Sequence, residues 1–410
     1  MAADAAERFC RYAQIDTQSD GDSTTYPSTE GQLELLRLLL HELGELGLSD
    51  ASMDEHGYVT ATIPSTVEHD VPAIAFFAHV DTARDVTGTN VKPQRFRYGG
   101  GDIPLGSSEQ LIRANETPEL ARHVGHELIT TDGTTLLGAD DKAGVAEIMA
   151  AAAFLVAHPE IPHGTVKLAF NPDEEVARGV IHFPIESFGA SAAYTLDGGS
   201  VGEINAETFS GAAVTIRIRG RSIHPGWAKG DLVNALKLAA KLLELLPQDR
   251  LSPETTEGRD AYVHPVGVSG DPAETELRFI VRAFDDDELD RNVEYLRELA
   301  AQVAATDSRC SVEVESRIQY RNMRNALEQR PEIVANLEQA VRRVGLEPRR
   351  VAVRGGTDGS ALTELGLPTP NIYTGMQNPH SEREWICVED MGLAAATIVE
   401  LAGVWAEASA

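Results

Sequence analysis

Two imidazoles and four carboxylates, far apart along the chain, have the composition of a two-metal hydrolytic site: His79, Asp140, Glu174, Glu175, Asp197 and His380. Zinc takes imidazole nitrogen and carboxylate oxygen, and two such ions can share a bridging carboxylate and a water. The adjacent Glu174 and Glu175 could divide the work, one holding metal and the other moving a proton of that water. Taken singly, each residue has an ordinary alternative. Asp140 could cap a helix, Asp197 before Gly198-Gly199 could form a turn, His380 could be a loop histidine, and paired glutamates usually sit in solvated turns. His79 carries Asp81 two residues on, and on a strand both side chains would point the same way. That spacing suits Asp81 to support a ligating imidazole from outside the coordination sphere.

The elements that must position these groups are short apolar runs. Residues 73–78 (AIAFFA) end at His79, residues 166–170 lead into Asp173-Glu174-Glu175, and residues 192–196 end at Asp197. Continuous apolar runs of this length read as parallel strands covered on both faces. Helices are expected at 31–47, over the alanine-rich stretch 142–157, at 331–344 and from about 389, with a strand at 369–373. Strands alternating with helices predict an α/β domain, a mixed sheet flanked by helices, with its ligand crevice beyond the carboxyl ends of the strands. Near residue 210 the pattern changes. Val214, Ile216 and Ile218 alternate with Thr215, Arg217 and Arg219, and similar alternation recurs near 277–281 and 312–314. Helices fit 232–246 and 286–305. We expect an inserted α+β domain at 209–317, with 1–208 and 318–410 forming the catalytic domain. The stretch 84–130, rich in Gly, Pro and Asn, reads as a long ordered excursion near the crevice.

Composition narrows the partners. A net charge of −29, from 64 acidic and 35 basic residues, repels phosphate backbones, so no nucleic acid is expected. No run of about 18 apolar residues occurs and the start lacks a signal-peptide pattern, so neither a membrane span nor secretion is expected. Cys10, Cys310 and Cys387 lie far apart; we expect three small core thiols in a reducing cytoplasm, with neither disulfides nor a thiolate zinc site. The glycines of 355–359 lack the lysine and spacing of a phosphate loop.

Eight stretches carry a resemblance that runs nearly end to end: FFAHVDTA (76–83), TTLLGADDKAGVAEIM (134–149), NPDEEVARG (171–179), YTLDGG (194–199), IHPGWAKG (223–230), VRAFD (281–285), RGGTDGS (354–360) and NPHSEREW (378–385). In this order and with these gaps the chain resembles the peptidase T family, tripeptide aminopeptidases among the dinuclear-zinc exopeptidases. The resemblance implies two zinc ions per subunit, one held by His79, Asp140 and Asp197 and the other by Asp140, Glu175 and His380, with Asp140 bridging. It implies Glu174 as general base and Asp81 as the residue that orients His79. It further implies that His224, from an inserted domain acting as a lid, polarises the scissile carbonyl, and that Arg282, Arg354 and Asn378 help hold a small peptide. A strained peptide after Asp140, cis being one form of it, belongs to the same expectation. The oligomeric state is left open, a homodimer included. Three features depart from the family pattern: Ala177 stands where glycine is usual, Trp227 where a smaller residue is usual, and the residues after His380 differ. Two rivals stay open, another exopeptidase or deacylase of the same clan and a metal- or peptide-binding protein without catalysis.

Overall fold

The computed structural model describes residues 1–106 and 109–409. The chain divides into two compact units. The first comprises Met1–Ala206, Asn325–Val351 and Thr357–Ala410; the second comprises Glu207–Arg324 and Ala352–Gly356.

The first unit is built on an eight-stranded mixed sheet. Its four central strands run parallel in the order Val166–Asn171, Ile74–His79, Ala192–Gly198 and Asn371–Tyr373. Residues 74–79 are buried throughout, as a strand covered on both faces requires. One face is covered by the helix Ala139–Ala157 together with Ala2–Tyr12 and Val388–Ala408. The other carries a core of Phe77, Val180, Phe183, Phe188 and Leu362. Because the central strands are parallel, their carboxyl ends lie along one edge. His79, Asp197 and the turn after Asn171 all fall there.

The second unit is an antiparallel sheet in the order Tyr262–Gly270, Glu274–Ala283, Ser210–Arg219 and Ser311–Tyr320, covered on one face by the helices Ala235–Leu245 and Asp286–Ala304. Val214, Ile216 and Ile218 point into this core. On the opposite face Arg217 pairs with Glu276 and Glu315, and Arg219 with Glu274 and Glu313. The expected inserted span, 209–317, falls inside this unit, which is larger at both ends. Its last strand continues to Tyr320, and Asn322 donates to the Phe284 carbonyl at 2.9 Å. Residues 352–356 join it because Phe209 N–H donates to the Val353 carbonyl at 3.1 Å and Arg354 reaches Gly258 at 3.0 Å.

Two details differ from expectation. The strand Tyr262–Gly270 has no apolar alternation, because it is an edge strand, mostly exposed, whose register shifts between Pro265 and Gly267. The helix Val388–Ala408 is long and apolar enough, by length and composition alone, to cross a membrane. Most of it is buried, and it packs against Ala2–Tyr12, Ala139–Ala157 and Pro331–Arg343 as a core helix.

The alanine-rich helix at 139–157 buries one group at odds with its surroundings. Glu147 is fully buried, and neither carboxylate oxygen has a hydrogen-bond partner among the described residues. Burial pushes it well above its ordinary value of 4.5, and nearby Asp141 and Asp390 add to the shift. The folded chain thus keeps a proton that the unfolded chain loses above that value. Its stabilising contribution is complete at lower pH and falls by about 1.4 kcal/mol per pH unit as pH rises toward the folded pKa. Glu147→Gln removes this dependence. Relative to the parent, its denaturant midpoint is expected to rise as the pH is raised from about 5 toward neutrality. A difference constant across that range would mean that Glu147 does not titrate on unfolding.

Candidate metal centre

Each acidic turn is held in place before any ion is considered. Asp173 sits at φ +60° with its carboxylate buried against the Ser28 hydroxyl, Ser28 N–H at 2.9 Å and the Gln32 amide at 2.8 Å. This anchor fixes the turn that follows, where Glu174 and Glu175 lie half-buried. Asp81 fixes it from the other side, accepting from Glu174 N–H at 2.9 Å and Glu175 N–H at 3.1 Å. One Asp81 oxygen also lies 3.3 Å from His79 Nδ1. His79 Nδ1 also lies 3.1 Å from the Asp81 carbonyl, so Asp81 touches both the imidazole and the neighbouring turn.

The backbone kinks at Asp140 and Asp141, whose angles are non-helical, and the Asp140 carboxylate faces two imidazoles, His79 and His380, instead of the helix N–H groups that a cap would serve. The Asp140–Asp141 peptide is cis, the form named in the expectation for this bond. Asp140 Oδ1 lies 3.1 Å from His79 Nε2, and Oδ2 lies 3.3 Å from His380 Nε2. The two oxygens of one carboxylate thus face two different imidazoles. Around them, Asp197 Oδ1 is 3.9 Å from His79 Nε2, and Glu175 Oε1 is 3.1 Å from His380 Nε2. Donor atoms of His79, Asp140 and Glu175 lie within 4.8 Å of one another, as do those of His79, Asp141 and Asp197. His380 adopts φ +59° and its Nδ1 lies 3.3 Å from Asp85.

The electrostatics of the cluster favour cations. Burial pushes Asp197, Glu174 and Glu175 above their ordinary range, Asp197 and Glu174 strongly. Hydrogen bonds to Asp140 and Glu175 push His380 up to about 11. Burial would lower His79, but its bonds to Asp140 and Asp81 outweigh that and raise it. Burial would likewise raise Asp140, yet bonds from His380 and His79 hold it low. Protons on the imidazoles are thus offsetting a surplus of carboxylate charge. Divalent cations would do the same and release those protons. The nitrogen and oxygen donor set fits such ions.

Sequence reasoning overlooked Glu384. It is buried, and its carboxylate accepts from Leu137 and Gly138 N–H at 2.7 Å each and from Asp140 N–H at 3.1 Å. It thereby fixes the turn that presents Asp140. Its partners lie some 245 residues upstream, so no local pattern signals them. Asp141 was also overlooked as a support; it accepts from His79 N–H at 3.2 Å.

The remaining candidates have their own surroundings. Asn378, at φ +53°, donates to the Arg383 carbonyl at 3.2 Å. In the second unit, His224 is exposed, accepts from Gly226 N–H at 3.1 Å through Nδ1, and lies 4.8 Å from the ring of Trp227. Arg282 donates to Gln319 and the Val281 carbonyl, and Arg354 to Gly258 and Thr256 while lying over Phe209 and Tyr262. Ala177 sits at φ +55°, a left-handed conformation that glycine adopts without strain.

The profile of peptidase family M20/M25/M40 matches residues 127–403. Peptidase T of Bacillus subtilis is 48% identical over 404 residues, covering 98% of both chains. Among solved structures, a tripeptidase from Staphylococcus aureus superposes with a TM-score of 0.77 at 22% identity, covering 99% of each chain. A dinuclear metal binding peptidase of the M20 family from Bacillus subtilis superposes with a TM-score of 0.65 at 16% identity, covering 99% of this chain and 98% of that one. The chain belongs to peptidase family M20/M25/M40.

Proposed function

We propose that this hydrolase is a two-zinc aminopeptidase that releases the N-terminal residue of tripeptides. One observation carries the reading: the Asp140 carboxylate is shared between His79 and His380, with Glu174 tethered beside them through Asp81. The printed names of the similar proteins, peptidase T, tripeptidase and dinuclear metal binding peptidase, support it. His79, Asp140 and Asp197 would hold one ion, and Asp140, Glu175 and His380 the other. The ions would supply Lewis acidity to the peptide carbonyl and acidify a shared water.

The protein's own groups do the rest. Glu174 takes the proton of the attacking water and passes it to the leaving amine. Asp81 keeps His79 in one orientation and holds the Glu174 backbone still. His224 is assigned to polarise the carbonyl by the family resemblance, and its Nε2 is the nitrogen not spent on Gly226. Arg282, Arg354 and Asn378 already donate to groups of their own fold, which favours shaping the peptide-binding loops over gripping the peptide directly. The free thiols of Cys10, Cys310 and Cys387 fit a reducing cytoplasm.

The test is a comparison of zinc-loaded enzyme on free tripeptides, N-acetylated tripeptides and dipeptides, with products identified by mass. Free tripeptides should yield an amino acid and a dipeptide. Blocking the amine should slow turnover by a factor of about 10² or more, because a site built for that amine would leave polar groups unpaired. Equal turnover of the blocked form would end the aminopeptidase reading.

A further inference from the structure

A second group of metal-binding side chains lies in the first unit and shares no residue with the centre above. His123 ends the short 3₁₀ helix Pro118–His123, and His126 follows one turn later, with its N–H donating to the His123 carbonyl at 2.9 Å. Cys387 ends the strand Trp385–Cys387, which pairs antiparallel with Glu127–Thr130 and sets Cys387 opposite Leu128. That pairing brings the thiol to the two imidazoles. His123 Nδ1 and His126 Nδ1 are 3.4 Å apart, and Cys387 Sγ is 3.9 Å from His126 Nδ1. One donor atom from each of the three lies within 4.8 Å of the others. Glu389 stands beside the group, its Oε2 3.3 Å from Cys387 Sγ and accepting from Glu127 N–H at 3.1 Å.

We propose that His123, His126 and Cys387 form a separate site for a borderline-soft divalent cation of the zinc class, with Glu389 as the carboxylate that takes up the thiol's hydrogen bond. Bond lengths of about 2.0–2.3 Å in a tetrahedral shell place nitrogen and sulfur ligands about 3.3–3.8 Å apart, against 3.4 Å between the two imidazoles and 3.9 Å from the thiol to His126. The surroundings also have the form of a metal site. The other ring nitrogen of His123, Nε2, lies 3.5 Å from Asp390 Oδ2, the carboxylate support that ligating histidines commonly have. His123 and Cys387 are buried, and the His123 ring meets Trp385 edge-on at 5.4 Å. His126 is half-buried, which leaves a route for an ion. Thiolate and imidazole together select zinc-class ions over magnesium or calcium. Without an ion the thiol donates to Glu389; binding an ion releases that proton. An occupied site would clip the strand at 385–387 to the turn at 123–126, immediately after Glu384. Local spacing alone predicts a core thiol at Cys387, since the chain separates it from His126 by about 260 residues.

Cobalt(II) reports on this site because the proposed catalytic ligands include no sulfur. Titrating the metal-free full-length chain with cobalt(II) should develop a near-ultraviolet thiolate-to-cobalt charge-transfer band. Cys387→Ser should abolish the band, while Cys10→Ser and Cys310→Ser leave it intact. His126→Ala, at a half-buried position that tolerates truncation, should shift the titration midpoint by about 10-fold or more. Asp197→Asn, which disturbs only the other centre, should keep the band. Absence of the band in the parent, or a band indifferent to both Cys387→Ser and His126→Ala, would overturn the assignment.

Discussion

Glu174→Gln is expected to lower kcat by a factor of about 10² to 10⁴, the usual contribution of a positioned general base, while the content of bound metal stays at the parent level. The glutamate and the glutamine have nearly the same shape, and the Glu174 N–H would still reach Asp81. The contacts that define the cluster run through other residues: His79 to Asp140, His380 to Asp140, and His380 to Glu175. What the substitution removes is a proton acceptor. The next residue should behave in the opposite way. Glu175→Gln should lose metal first, because Glu175 Oε1 is the oxygen that lies 3.1 Å from His380 Nε2. Metal content by elemental analysis and kcat on a free tripeptide, measured on both variants, separate the two roles. Loss of metal from Glu174→Gln, or near-parent turnover, would remove Glu174 from proton transfer.

Much of this site could be read in the sequence because parallel strands buried on both faces write themselves as apolar runs. His79 and Asp197 terminate such runs, and Glu174 and Glu175 follow one, so their gathering at one sheet edge follows from topology. The capping alternative for Asp140 is settled by where its carboxylate points, at His79 and His380, which sequence spacing does not encode. Elements that resisted reading share a physical cause. The strand at 262–270 is exposed and carries Pro265 at a register shift, so burial imposes no period on it. The strand at 385–387 is three residues long, too short to show any period, yet it follows Glu384 and ends at Cys387. Glu384 and Asp173 act through backbone N–H groups and a hydroxyl far away in sequence, contacts that any acidic residue could make. Local patterns therefore pointed to the residues proposed to touch metal and to Asp81 beside one of them, and hid Glu384, Asp141 and Asp173, which hold their turns from a distance.

Glu384 gives that distinction its sharpest test. Its carboxylate is buried and accepts three N–H groups of the turn at 137–140, one of them from Asp140 itself. Burial pushes the group up to about 7 even though those three donors favour the carboxylate form. Removing the side chain strands three buried donors, each costing about 1–3 kcal/mol, so Glu384→Ala should destabilise the fold by more than about 3 kcal/mol. Supports of this kind typically change metal affinity or activity by about 10- to 100-fold when mutated. Asp140 is the ligand proposed to serve both ions, so a shift in its turn should weaken both. Glu384→Gln keeps the shape and an accepting oxygen but loses the charge, and should fall between parent and Glu384→Ala. The decisive measurement is the zinc dissociation constant of each variant at a temperature where circular dichroism shows it folded. A role confined to stability would lower the unfolding temperature and leave that constant alone. The positioning role requires both to move, Glu384→Ala further than Glu384→Gln, and a folded Glu384→Ala that binds zinc as the parent does would refute it.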